Sequence, residues 1–272
     1  KHPWQNLSKR KDAYEKVIKF YNILLPKVSQ NLNLIHGVKK PKKYWECIVG
    51  YWLLKFIITI YSNYVVSKKN KIKFKLENFQ LENIEEYIKD YSRDSFLMYQ
   101  SDEWNNFILN NFLNIKKKRI TKLKSENRKK KINFREIILK ILNLATKINR
   151  DNDDKIFIIN TYLGTKNEIL LQKKLNNNYQ FNLPIKFDFE TQINERFRKD
   201  YTISYSKKSE FINFIKDLIF LNMPKSFLEN FLKINLMLKK SSWPKNPTKV
   251  ISGSNHISDD IFKIWLAEKK LN

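Results

Sequence analysis

The stretch from Tyr44 to Val66, YWECIVGYWLLKFIITIYSNYVV, constrains the fold more than any other part of the sequence. It is apolar almost throughout and, as a helix, long enough to cross a bilayer. Glu46, Lys55, Ser62 and Asn63 interrupt it, and no comparable span follows. A charged residue near the middle of a lone span is costly in lipid. The segment is a predicted core helix.

Ahead of it, Tyr14 to Leu34 carries Val17, Ile18, Phe20, Tyr21, Leu24, Leu25 and Val28 at helical spacing. This predicts an amphipathic helix interrupted or kinked near Pro26, with Gly37 and Pro41 forming a turn. Ser101-Asp102-Glu103 reads as a helix start, the carboxylates facing the positive end of the helix dipole. Trp104, Phe107, Ile108, Phe112 and Ile115 then form one face. The basic run Lys116 to Lys131 is expected to be a mobile or anion-facing loop, and Phe134 to Ile148 another amphipathic helix. Lys155 to Asn160 has the pattern of a buried strand, followed by Thr161, Gly164 and a helix from Lys166. That is the strand–turn–helix unit of α/β folds. Ser206 to Leu221 and Pro224 to Leu238 are two further predicted helices, the second with proline in its first turn.

Trp243-Pro244-Lys245-Asn246-Pro247 is a connector that helix cannot cross. Lys249 to Ser252 follows as a short strand, Gly253 to Asn255 as a turn, and Asp259 to Leu271 as a last helix. This second unit after a proline-rich link predicts two domains, residues 1–243 and 244–272. The class expected is helix-rich α/β. The chain starts at Lys1 and stops at Asn272 inside an apparent helix, so it is expected to be an internal piece of a longer protein.

With 42% hydrophobic and 14% aromatic residues over 272 positions, the chain can bury a substantial core. Lys plus Arg number 53 against 27 Asp plus Glu, a net charge of +26. Such a charge attracts nucleic acid, anionic lipid or phosphorylated small molecules. Asn, Lys and Ile dominate, however, as an AT-rich genome imposes, so most lysines are expected on solvated faces. Cys47 stands alone and excludes an internal disulfide. His2, His36 and His256 lie far apart, with no ligand spacing, so no metal is expected. The reducing cytoplasm is the expected compartment. The four glycines never fall as G-x-G-x-x-G or a Walker loop, and there is no G-x-S-x-G elbow. No catalytic constellation is complete.

Three groups of local strings remain. The first is Leu32-Asn33-Leu34-Ile35-His36-Gly37, then Tyr44-Trp45 and Gly50-Tyr51-Trp52-Leu53. The second is Ser101-Asp102-Glu103-Trp104-Asn105. The third is Met223-Pro224, Leu228-Glu229 and Trp243-Pro244, then Ser254-Asn255, Asp260, Phe262-Lys263, Trp265 and Ala267. In this order they resemble a family of transferases found in bacterial spore-coat and lipopolysaccharide gene clusters. The resemblance runs over nearly the whole chain, and its weight lies in order and spacing.

The resemblance implies a GT-B-like glycosyltransferase of two Rossmann-like halves, of which this chain is the N-terminal, acceptor-side half plus the start of the donor-side half. It implies a nucleotide-sugar donor, a glycan or lipid-linked glycan acceptor, no cofactor, and a place at the inner face of the inner membrane, whose anionic lipids suit the positive charge. A strand with a Leu-Gly-Glu-Trp-like motif ahead of His2-Pro3-Trp4 and a Gln-His-Gly segment after Asn272 would complete it. The chain alone is therefore not expected to catalyse.

His36, at a helix end beside Gly37, is the candidate base on the acceptor hydroxyl, with a capping role as the alternative. Ser252, Ser254 and Asn255, between strand and helix, are donor-site candidates; Asn255 or Ser258 as a helix cap is the alternative. Lys263 is a candidate for the donor phosphate, with Trp265 in the core. Tyr44, Trp45 and Trp52 are candidates to stack on the acceptor sugar, against ordinary packing. Two other functions stay open. A nucleic-acid-binding module suits the charge, but no reader motif is present. An inactive scaffold is the other.

Overall fold

The computed structural model describes residues 6–69, 87–113, 156–176, 185–189, 192–201, 203–205 and 209–269. The basic run 116–131 and the predicted helix 134–148 lie outside the described residues.

Helix α1, Leu7–His36, begins at Asn6, whose side chain accepts a hydrogen bond from the Lys9 amide at 3.1 Å. It runs unbroken through Pro26. The expected interruption is absent: Leu24, Leu25 and Val28 flank the proline and are fully buried, so packing outweighs the hydrogen bond that proline forgoes. The helix ends at Gly37, whose φ of 62° lets its amide and that of Val38 reach back to Leu34 and Asn33.

Helix α2, Lys42–Lys69, lies at the centre. Trp45, Ile48, Val49, Trp52, Leu53, Phe56, Ile57 and Ile60 are buried along it. Among the described residues it is the one helix long and apolar enough to cross a membrane, and half of its apolar window is covered by the protein. It packs on α1, on α4 (Asp102–Leu113), on α7 (Glu210–Asn222) and on α10 (Asp260–Ala267). Buried indoles find acceptors: Trp45 Nε1 donates to Asn33 Oδ1 at 2.8 Å, and Trp52 Nε1 to the Tyr99 hydroxyl at 3.0 Å. Among the described residues the remaining helices are α3 (Ser92–Met98), α5 (Thr165–Lys174), α6 (Glu195–Lys199), α8 (Phe231–Lys239) and α9 (Asn255–Ser258).

Residues 225–230 are turns, not the first part of a helix from Pro224. The Lys225 and Ser226 amides donate to the carbonyls of Lys89 and Asp90 instead of to their own chain's preceding turn. The last predicted helix, Asp259 to Leu271, is α10, capped by Asp259, whose Oδ1 accepts from the Phe262 amide at 3.0 Å; the short α9 precedes it where no helix was expected.

Strands β1 (Ile156–Ile159) and β2 (Lys249–Ser252) pair in parallel, Ile156 opposite Lys249 and Ile159 opposite Ser252. This corrects the expected division at Trp243 to Pro247. Lys249 to Ser252 joins the sheet of the preceding unit rather than opening a new one. Trp243 itself is buried, its ring 5.7 Å from Phe157 and 5.5 Å from Trp265. The prolines do follow the end of α8, as their chemistry requires, but the core continues across them. The protein is helix-rich α/β.

Candidate functional site

Parallel strands present their carboxyl ends at one edge, where α/β proteins hold ligands. Here β1 and β2 end in register, and the turns that follow are held together. The Gly253 amide donates to the Asn160 carbonyl at 3.1 Å. The Tyr162 hydroxyl and Ser254 Oγ lie 2.7 Å apart in a hydrogen bond. Asn160 and Tyr162 both have positive φ, 48° and 60°, a conformation that side chains other than glycine rarely adopt. Gly253 is required where it stands: a Cβ there would come 2.4 Å from the Tyr162 ring and 2.8 Å from the Asn160 oxygen. Asn255 is buried; its Nδ2 donates to Asp259 Oδ2 at 3.3 Å, while its Oδ1 has no hydrogen-bond partner. Ser252, Ser254 and Asn255 thus lie together at the strand ends. Neither Asn255 nor Ser258 caps α10; Asp259 does. Burial raises the Asp259 pKa, opposed by the Phe262 amide.

Lys263 is elsewhere. It is 1% exposed, with Nζ 2.6 Å from Asp260 Oδ1, 3.0 Å from Ser92 Oγ and 3.5 Å from the Ile257 carbonyl. Asp260 also accepts from the Ser92 amide at 2.7 Å, from the Ser92 hydroxyl, and from Ser226 Oγ at 2.6 Å. A cation so compensated has no capacity left for a donor phosphate, which corrects the role expected of it.

His36 is 7% exposed. Its Nε2 is 2.9 Å from the Phe227 carbonyl, and its ring lies 4.5 Å from Phe231 and 5.8 Å from Trp45, with which it stacks. Tyr44, Trp45 and Trp52 are buried as well. The Tyr44 hydroxyl donates to Glu268 Oε1 at 2.7 Å; burial first, and that carboxylate second, raise its pKa. The structure brings His36 and Trp45 together, but in the core. The expectations of an open base and of exposed sugar-stacking rings are corrected. Helical spacing names the apolar face without saying what covers it. An open depression of about 540 Å³, lined by Ile185, Leu236, Met237, Lys240, Ser241 and Ser242, shares no residue with these sets.

Over residues 1–272 the chain matches the family model described as LIC12162 family transferase. It belongs to that family. No curated protein and no solved structure matches the chain.

In this LIC12162 family transferase the strand-end residues missed by spacing are Asn160 and Tyr162. Only the run Asn160-Thr161-Tyr162-Leu163-Gly164, a turn directly after a strand, pointed to them. The buried Asp260–Lys263 pair was more legible, as an acid and a base three apart in an otherwise apolar helix turn.

The histidine of this transferase makes a pH prediction. Burial pushes the His36 pKa down from 6.5 to about 4, with the Phe227 hydrogen bond opposing. Between those values the unfolded chain holds the proton and the native ring does not, so stability falls as pH falls through that window. Wild type should lose about 2 kcal/mol more than His36→Gln between about pH 7.5 and about pH 5, in urea unfolding followed by tryptophan fluorescence. Equal losses would show that the ring is open to water.

Proposed function

We propose that this transferase moves a sugar from a nucleotide-activated donor to a surface-polysaccharide or lipopolysaccharide acceptor, with the donor at the carboxyl ends of β1 and β2. The observation that carries the reading is the pairing of those strands: Ser252, Ser254 and Asn255 meet the turn after β1 at one edge of a parallel sheet. Family membership supplies the transferase chemistry, and the strings in the chain supply the resemblance to surface-polysaccharide enzymes. A Rossmann-like half of a GT-B pair presents its strand ends to the cleft in this way.

The reaction then needs no resident metal, because amides and hydroxyls take the leaving phosphate. The general base comes from residues other than His36, whose ring nitrogen is committed to Phe227. A net charge of +26 favours both the donor phosphates and an anionic membrane carrying the acceptor, at its cytoplasmic face.

The test is release of nucleoside diphosphate by the full-length protein from a panel of nucleotide-sugars, with a lipid-linked glycan extract as acceptor. At least one donor should be consumed, equally well in the presence of a chelator. Consumption of an acyl or methyl donor with no nucleotide-sugar turned over would overturn the reading.

A further inference from the structure

We propose that the ring of Tyr162 is the platform on which the base of a nucleoside diphosphate stacks, an inference that rests on the donor reading above. Tyr162 is 70% exposed, yet it is not a loose surface side chain. Its hydroxyl is tied to Ser254 Oγ, and its ring lies so close over Gly253 that no side chain fits beneath it. The ring is thus fixed at two points across the two strand-end turns and remains largely open to solvent. Its backbone holds φ at 60°, a strained value for a bulky aromatic, and strain of this kind persists where the surroundings over-determine it.

Fixing an aromatic ring in advance lowers the entropy that a ligand must otherwise remove on binding. The occupant that suits it is flat and aromatic, since stacking on such a ring accepts any base by its π-face. Polar groups stand in the same turns. Beside Ser254, at the start of α9, Asn255 is 1% exposed and its Oδ1 has no hydrogen-bond partner. The alternative is that Tyr162 only staples the two turns. That role lies in the hydroxyl and in the cover over Gly253; stacking lies in the outer face of the ring.

Titration calorimetry of the whole chain separates them, with UDP, CDP, ADP, GDP, glucose 1-phosphate and inorganic pyrophosphate as probes. At least one nucleoside diphosphate should bind tenfold or more tightly than pyrophosphate. Tyr162→Ala should lose about tenfold or more of that affinity while leaving pyrophosphate unchanged. Tyr162→Phe, which keeps the ring and drops the tie to Ser254, should lose much less. Tyr162→Gly gives a further reading, since glycine relieves the positive φ: it should match or exceed wild type in thermal stability and still lose the nucleotide.

If Tyr162→Ala and Tyr162→Gly bind the nucleotides as wild type does, the ring is a staple and the platform is wrong, with the donor reading intact. Preference for glucose 1-phosphate over every nucleotide would move the ring to a sugar and overturn the proposal. If wild type binds none of the probes, platform and donor site fall together.

Discussion

Asp260→Ala is expected to destabilise the protein by about 3–5 kcal/mol, enough to take a domain of ordinary stability close to unfolding. The side chain is 0% exposed and its carboxylate serves four donors: Lys263 Nζ, the Ser92 amide, the Ser92 hydroxyl and Ser226 Oγ. Truncation leaves a buried ammonium with one hydroxyl and one distant carbonyl, and a buried amide with nothing. The cost is that of an uncompensated interior charge rather than of a single contact. The double variant Asp260→Ala, Lys263→Met should recover much of the loss, because an apolar pair needs no compensation. Urea unfolding of the three proteins checks both statements. An Asp260→Ala variant within about 1 kcal/mol of wild type would mean that water reaches this cluster.

Arg198→Met is expected to have an effect of similar size, about 3–5 kcal/mol, for a different reason. Arg198 is buried, and its guanidinium meets Glu229 with two bonds, Nε to Oε1 and Nη2 to Oε2, each 2.7 Å. Its Nη1 reaches the carbonyls of Phe220 at 3.0 Å, Leu221 at 3.3 Å and Met223 at 2.9 Å. It thereby closes the end of α7, where helix carbonyls lack partners of their own. One side chain from the five-residue α6 so joins that end to the turn before α8. Arg198→Lys keeps the charge but not the planar fork, and should stay clearly below wild type in thermal unfolding. Full stability in the lysine variant would show that charge alone suffices here.

The long helices were legible because apolar spacing is a local property. Tyr44 to Val66 announces a buried helix, and α2 covers it. The two strands were legible for the same reason, but not their pairing, since a four-residue strand carries no sign of its neighbour. The proline-rich connector therefore suggested a domain boundary where the sheet is in fact continuous. The site candidates failed in the same way. His36 does end its helix beside Gly37, as its position indicates. Its burial depends on Phe227, 191 positions away, which no local pattern contains. Lys263 pairs with Asp260 three residues away, but the Ser92 that completes its cage lies 171 positions off, and Arg198 is held by Glu229, 31 positions on. Ser252, Ser254 and Asn255 were placed correctly at a strand end, because a strand–turn–helix unit defines that edge by itself. Tyr162 was missed because tyrosine gives no warning of a positive φ.

The parallel pairing of β1 with β2 also orders events during synthesis. Ile156 cannot meet Lys249 until the chain between them, with four helices of the described structure, has been made. Pairings separated so far in sequence form slowly, after local helices have already collapsed. While the ribosome is still adding residues short of Ser252, the apolar Phe157, Ile158 and Ile159 lack that partner strand. The nascent chain therefore carries an open strand edge from the completion of β1 until β2 has been made, the kind of surface that chaperones guard.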